Sequence, residues 1–308
     1  MLMWNKIMVR CLVALLFFIS HLCLAKAITV SHAMGETQLQ AIPKRVVVLG
    51  MDSLDVLDTL GIEPIGVVKS PLPPYLEKYK RDKYQSVGSL FEPDFEAIYM
   101  LKPDLIIVSN RSSRSYEALA NIAPTVLFMA DPTKYWETST DAWRMIGTIF
   151  GQEAQVESFI TRQKLQIDQI QTRHQSHDAQ ALVVMKNGTN LTTFGAQSRY
   201  GVIFNLFGFK EAVNNDTHHK HGDLISFEYV NQVNPQYLLV LDRDAAIGRA
   251  NQSAKDVFDN PLINKLPVYK NGHIHYLNSH AWYISASGIQ ATQIMIDDIN
   301  AVSISTNK

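Results

Sequence analysis

The sequence predicts an α/β protein of two lobes, each built on a parallel-type sheet, with one long helix joining them. Three observations carry this. A pattern occurs twice at one constant offset, running from Phe95 to Arg111 and again from Phe227 to Arg243. In each copy Phe-Glu opens a short helix, Pro103 or Pro235 breaks it, an apolar run follows, and an arginine stands just past the run. The runs themselves, such as Leu105-Ile106-Ile107-Val108, are continuously apolar, as strands covered on both faces are. Strand-like segments stop near residue 128 and resume near 181, with two long amphipathic stretches between them. The repeat period is far above that of solenoid units, so it points to duplicated lobes.

Along the chain, 28–30 and 44–49 read as strands. Ser53 is the expected N-cap of a helix through Leu60 that Gly61 closes. A short strand over 65–68 precedes a Pro-stiffened loop, 70–75. Then come the strand 105–108, a helix over 116–122 and a strand over 126–128. The stretches 136–150 and 153–174 are helical. In the second, Val156, Phe159, Ile160, Ile167 and Ile170 form a stripe, read as the face of a helix that crosses between the lobes. Strands resume at 181–185, and Asn187-Gly188 is a hairpin turn. A helix over 201–207 stops at Gly208; strands at 237–241 and 273–277 and a closing helix over 289–302 complete the chain. The expected division is a signal segment 1–27, an N-terminal lobe 28–150, an inter-lobe helix 151–177 and a C-terminal lobe 178–308.

The N-terminus carries a secretory signal. Lys6 and Arg10 precede an apolar core over 11–24, and Ala25-Lys26-Ala27 is an A-x-A cleavage pattern. The core is shorter than the roughly 20 residues of a membrane span. Cys23 is a competing lipidation site, but Leu22 stands where a small residue is wanted. The expected mature chain is periplasmic, monomeric, and begins at Ile28. Both cysteines, Cys11 and Cys23, lie in the signal, which leaves no disulfide, no thiolate nucleophile and no cysteine-ligated metal. Of 28 basic residues the signal removes three, leaving 25 against 29 acidic ones, a net of −4. That is no nucleic-acid footprint.

Familiar enzyme motifs are missing: there is no G-x-S-x-G, Walker A, G-x-G-x-x-G or H-E-x-x-H. A binding protein is the expected class, without catalytic residues or an intrinsic cofactor. In open α/β sheets ligands bind beyond the carboxyl ends of the strands. The repeat therefore puts Arg111 and Arg243 on opposite walls of one cleft. Arg199, in Gln197-Ser198-Arg199-Tyr200-Gly201, is a further candidate; Arg114 and Arg249 read as solvated surface charges. Arginine forks suit planar anionic oxygen ligands. His218-His219-Lys220-His221 and the segment Ser279-His280-Ala281-Trp282-Tyr283 are the other dense features, and imidazole with phenolate suits a hard ferric ion.

Taken in order, Ser109-Asn110-Arg111, Ser198-Arg199-Tyr200-Gly201, His221-Gly222, Asp242-Arg243 and Trp282-Tyr283 resemble the markers of one family. It is the class III periplasmic binding proteins of ABC importers, and within it the ferric-catecholate siderophore binders. The resemblance covers nearly the whole mature chain. It implies that Arg111, Arg199 and Arg243 surround the anionic iron–catecholate centre. It implies that His221 and Tyr283 ligate Fe(III) directly when a tetradentate siderophore leaves two positions open. It also implies that Glu96 and Glu228 dock on the inner-membrane permease. Crowding by His218 and His219 leaves open which histidine serves. Electrostatics agrees: a tris-catecholate ferric complex carries a charge of about −3, and a unit pair at ~4 Å and an effective dielectric of about 20 contributes roughly 4 kcal/mol before desolvation. The alternatives are a haem- or zinc-binding importer component, or a secreted hydrolase using His221 with Asp223.

Overall fold

The computed structural model describes residues 27–213 and 222–303. The signal segment with its two cysteines, and His218, His219 and His221, lie outside the described residues.

The chain enters as a hairpin, β1 (Ile28–His32) and β2 (Gly35–Leu39). The second strand was not expected, because its Gly-Glu-Thr-Gln sequence is too polar to show a buried face. Thr37 ties the hairpin to the first lobe by donating to the Thr125 carbonyl at 2.6 Å. The first sheet holds β3 (Val46–Val48), β4 (Gly66–Val67), β5 (Gln85–Ser86), β6 (Leu105–Ser109) and β7 (Thr125–Phe128). Its order is β5-β4-β3-β6-β7 and every pairing is parallel. The central strands β3 and β6 are buried throughout, which is why they read as unbroken apolar runs.

Helix α1 (Met51–Thr59) follows β3. It starts three residues earlier than expected. Gly50 is the N-cap, and Ser53 lies buried inside the first turn with its hydroxyl donating back to the Gly50 carbonyl. Glycine is required there because a Cβ would sit 2.6 Å from the Ser109 Cβ. Helix α2 (Phe95–Met100) is capped by Asp94 and turns into β6. Two long helices then leave the sheet, α3 (Tyr135–Phe150) and α4 (Glu153–Ser176). Along α4, Val156 and Ile160 join the first core and Ile167 and Ile170 join the second. One helix thus anchors in both cores, the physical basis of a two-lobed body with a fixed spacing.

The second sheet contains β8 (Gln180–Asn187), β9 (Asn190–Phe194), β10 (Lys210–Glu211), β11 (Asp223–Ile225), β12 (Tyr237–Asp242) and β13 (Ile274–Tyr276). Its spine is β11-β9-β8-β12-β13, with β10 beside β8. The parallel-type sheet expected here carries an antiparallel edge, as the hairpin turn expected at Asn187-Gly188 requires. β8, β10, β12 and β13 run parallel, but the turn at Gly188 folds β9 back antiparallel, and β11 pairs antiparallel with β9. Helix α5 (Phe227–Val233), capped by Ser226, precedes β12 as α2 precedes β6. Two short helices follow, α6 (Arg243–Ala246) and α7 (Ser279–Tyr283).

The closing helix α8 (Ile289–Asn300) belongs to both cores as well. Buried Asp55 of α1 accepts from Gln290 N at 2.8 Å and Ala291 N at 2.9 Å, so a carboxylate of the first lobe caps a helix of the second. A Cβ on Gly288 would lie 2.3 Å from Asp55 Cγ, so only glycine lets the two approach. Among the described residues no helix is long and apolar enough to cross a membrane.

His174, near the end of α4, gives this core a pH dependence. Its ring is buried, Nδ1–H donates to the Phe207 carbonyl at 2.8 Å, and Nε2 is buried with no hydrogen-bond partner among the described residues. Burial lowers its pKa from 6.5 to about 4. The folded state therefore holds the neutral ring, and its contribution is intact above pH 6.5 and lost as pH falls toward 4. The expected slope is about 1.4 kcal/mol per pH unit inside that window. Denaturant unfolding of the parent and H174Q measures it. The glutamine keeps a donor but takes up no proton, so its curve should lack that slope; identical slopes would reject the assignment.

Candidate functional site

Between the lobes lies a cleft of about 450 Å³, inside the range of small-molecule sites. Its walls come from strand ends and the segments that follow them. β3 leads to Met51 and Asp52, β6 to Asn110 and Arg111, and β7 to the loop 130–133. The second lobe contributes Ser198, Arg199 and Tyr200 after β9, Tyr283 at the end of α7, and Ile284, Ala286 and Ser287 beyond it.

Tyr283 is the centre of this arrangement. Its carbonyl accepts from Arg111 Nη2 at 2.9 Å and from Arg199 Nη2 at 2.8 Å. Its hydroxyl accepts from Arg243 Nε at 2.8 Å. The three guanidinium carbons lie 5.4, 4.2 and 5.6 Å from the Tyr283 ring centroid, in the order Arg111, Arg199, Arg243. Arg111 also faces the exposed ring of Phe91 at 5.6 Å. Cation–π attraction of roughly 0.5–2 kcal/mol per pair holds the cluster against its own repulsion. Among the described residues none of the three arginines is ion-paired with a carboxylate, so a concentrated positive charge faces the cleft.

The local electrostatics follows. Half-burial alone raises the Tyr283 phenol, yet the Arg243 hydrogen bond and the charges of Arg199, Arg243 and Arg111 outweigh it and hold the phenol below its ordinary range. Burial, then the neighbouring Arg199, lowers the Arg111 guanidinium. Burial pushes Asp52 up to about 6, against the Ser53 N–H and the charge of Arg111. The same positive charges that lower the phenol would attract anionic oxygen into the cleft.

The sequence reading placed Arg111 and Arg243 on opposite walls. The structure brings both to Tyr283, but only Arg111 and Arg199 line the cavity; Arg243 stands behind the phenol, bonded to it and to Asn187 Oδ1 at 2.8 Å. Arg114 and Arg249 are exposed and far from this cluster's bonds. Glu96 and Glu228 are exposed in the first turns of α2 and α5. His221 lies outside the described residues, and so do its neighbours His218 and His219. Trp282 is buried, with its indole N–H donating to Asp298 at 2.8 Å, which fixes α7 and hence Tyr283.

Several lining residues escaped the sequence reading. Asp131, Pro132 and Thr133 sit just past β7, where the strand-end rule would have found them. Tyr135 and Ser287 carried no signal. Tyr135 Oη accepts from Ser287 N at 3.3 Å, a pairing 152 residues apart in the chain.

A model of the periplasmic binding protein family matches residues 46–281. The chain belongs to that family. It shares 40% identity with the petrobactin-binding protein YclQ of Bacillus subtilis over 88% of this chain and 87% of that one. It shares 33% with the ferric-anguibactin-binding protein FatB of Vibrio anguillarum over 88% and 86%. The crystal structure of the periplasmic catecholate-siderophore binding protein VctP of Vibrio cholerae superposes with a TM-score of 0.85 at 46% identity, covering 90% of this chain and all of that one. As a periplasmic binding protein the chain is a binder and not an enzyme, which answers the hydrolase alternative.

Proposed function

We propose that this protein captures ferric catecholate siderophores outside the cytoplasm and delivers them to the permease of an ABC importer. The observation that carries the reading is the convergence of Arg111, Arg199 and Arg243 on one tyrosine, with no carboxylate ion-paired to any of them among the described residues. Three guanidiniums without a direct carboxylate ion pair among the described residues suit a ferric catecholate of charge about −3 far better than a neutral ferric hydroxamate. The siderophores named for the relatives support the same class. Tyr283, its phenol held below its ordinary range by the surrounding arginines, ligates the ferric ion of a tetradentate complex together with His221. Glu96 and Glu228 dock on the permease, one per lobe. The protein works as a soluble monomer in the periplasm after cleavage behind Ala27.

One titration set tests this. Purified protein is mixed in turn with a ferric tris-catecholate, a ferric bis-catecholate, a ferric hydroxamate and haem. Saturable binding of the catecholates in preference to the other two is expected; preference for hydroxamate or haem would overturn the reading. Tyr283→Phe is expected to weaken the bis-catecholate complex much more than the tris-catecholate one and to remove the phenolate contribution to its visible band. Equal losses with an unaltered spectrum would reduce Tyr283 to a shaping role.

A further inference from the structure

Arg243 is flanked in sequence by Asp242 and Asp244, and either carboxylate could neutralise it. Neither is paired with it. Both turn to Lys186, whose ammonium lies 2.9 Å from Asp244 Oδ2 and 3.6 Å from Asp242 Oδ1. Lys186 is 4% exposed and Asp242 7%. The alignment is set by the sheet, since Lys186 and Asp242 are register partners in the parallel pairing of β8 with β12. The hairpin after β8 completes the sorting. Asn187 Oδ1 accepts from Arg243 Nη1 at 2.8 Å, and Gly188 N donates to Asp244 Oδ2 at 2.7 Å. Asp242 is held further by Ala245 N at 3.1 Å and Ala254 N at 2.8 Å.

We propose that Lys186 is a positioning residue for the binding site: by holding Asp242 and Asp244 it keeps both carboxylates off Arg243, which stays on Tyr283 with its charge available to an anionic ligand. Three consecutive residues, Lys186, Asn187 and Gly188, thereby sort the charges of three others, Asp242, Arg243 and Asp244. A buried lysine costs desolvation that hydrophobic packing would avoid, so its presence between buried Asp242 and partly exposed Asp244 calls for a role of this kind. Without Lys186, Asp244 has one strong cation within reach, and Arg243 is drawn away from the phenol. The ligand class rests on the function proposed above; the positioning role does not.

The test uses K186M, D244N and the double variant K186M/D244N. The first readout needs no ligand: the Arg243 Nε–H resonance, assigned by loss in R243K, exchanges slowly with solvent while it is bonded to Tyr283. K186M is expected to speed that exchange and to weaken ferric-catecholate binding by about tenfold, the scale of one charge-assisted hydrogen bond. The double variant is expected to restore slow exchange and to recover most of the affinity, since Asp244 no longer competes and the Ala245 and Ala254 N–H groups still hold Asp242. D244N, which leaves Lys186 paired with Asp242, keeps a folded protein available if K186M fails to fold, and it should exchange as slowly as the parent. Parental exchange in K186M, faster exchange in D244N, or a double variant no better than K186M would overturn the proposal. Normal exchange behaviour with no catecholate binding in the parent would instead strike the proposed ligand class.

Discussion

Removing Arg111, Arg199 and Arg243 together is expected to abolish measurable ferric-catecholate binding while the fold persists. Each arginine supplies charge-assisted hydrogen bonds, and losing one costs about 1.5–3 kcal/mol, roughly tenfold or more in affinity. Arg111 and Arg199 line the cavity whereas Arg243 does not, so their alanine variants should lose the most. Arg243 acts in part through the Tyr283 hydroxyl, so R243A should also shift the visible band of a bis-catecholate complex. Thermal stability should not fall with affinity. The cluster is like-charged and its members bond mainly to one another's shared tyrosine, so deletion relieves repulsion. Binding titrations beside thermal unfolding decide it: three single variants that bind like the parent would remove the arginines from the site.

Charge reversal at Glu96 and Glu228 together is expected to stop siderophore uptake in cells and leave affinity in solution unchanged. Both side chains are exposed, each in the first turn of a helix capped by Asp94 or Ser226, where a carboxylate is favoured by the helix dipole. Neither touches the cleft. A two-lobed binder presenting one exposed carboxylate per lobe at matched repeat positions matches a permease of two like subunits. Uptake assays with E96K/E228K, alongside the titration above, separate the roles. Uptake at the parental rate, or a large loss of affinity, would each reject docking through these residues.

How much was legible from the chain alone depended on the range of the forces involved. The repeat placed α2 and α5, β6 and β12, and both following arginines, because helix capping, proline breaks and buried apolar runs are local and leave local patterns. The α4 stripe was legible for the same reason, down to Val156, Ile160, Ile167 and Ile170. Errors arose where a tertiary contact overrode a local preference. Ser53 is a good N-cap by type, yet Gly50 takes the position because Ser109 leaves no room for a side chain. The β9 and β11 strands are too short and mixed in polarity to announce their direction, and only the turn at Gly188 hinted at it.

By itself the sequence determined the α/β class, the two lobes, the crossing helix and the short roster of arginines and aromatics from which an anion site is built. Each is written in periodicity, capping residues or charge type, which depend on neighbours a few positions away. Tertiary structure alone decided that Arg111, Arg199 and Arg243 meet on Tyr283, that Asp55 of one lobe caps a helix of the other, and that Lys186 holds Asp242 and Asp244 away from Arg243. Those contacts join residues tens to hundreds of positions apart. Their strength comes from distance and burial in the folded state, where a paired charge and a free one differ by several kcal/mol and nothing in the local chain distinguishes them.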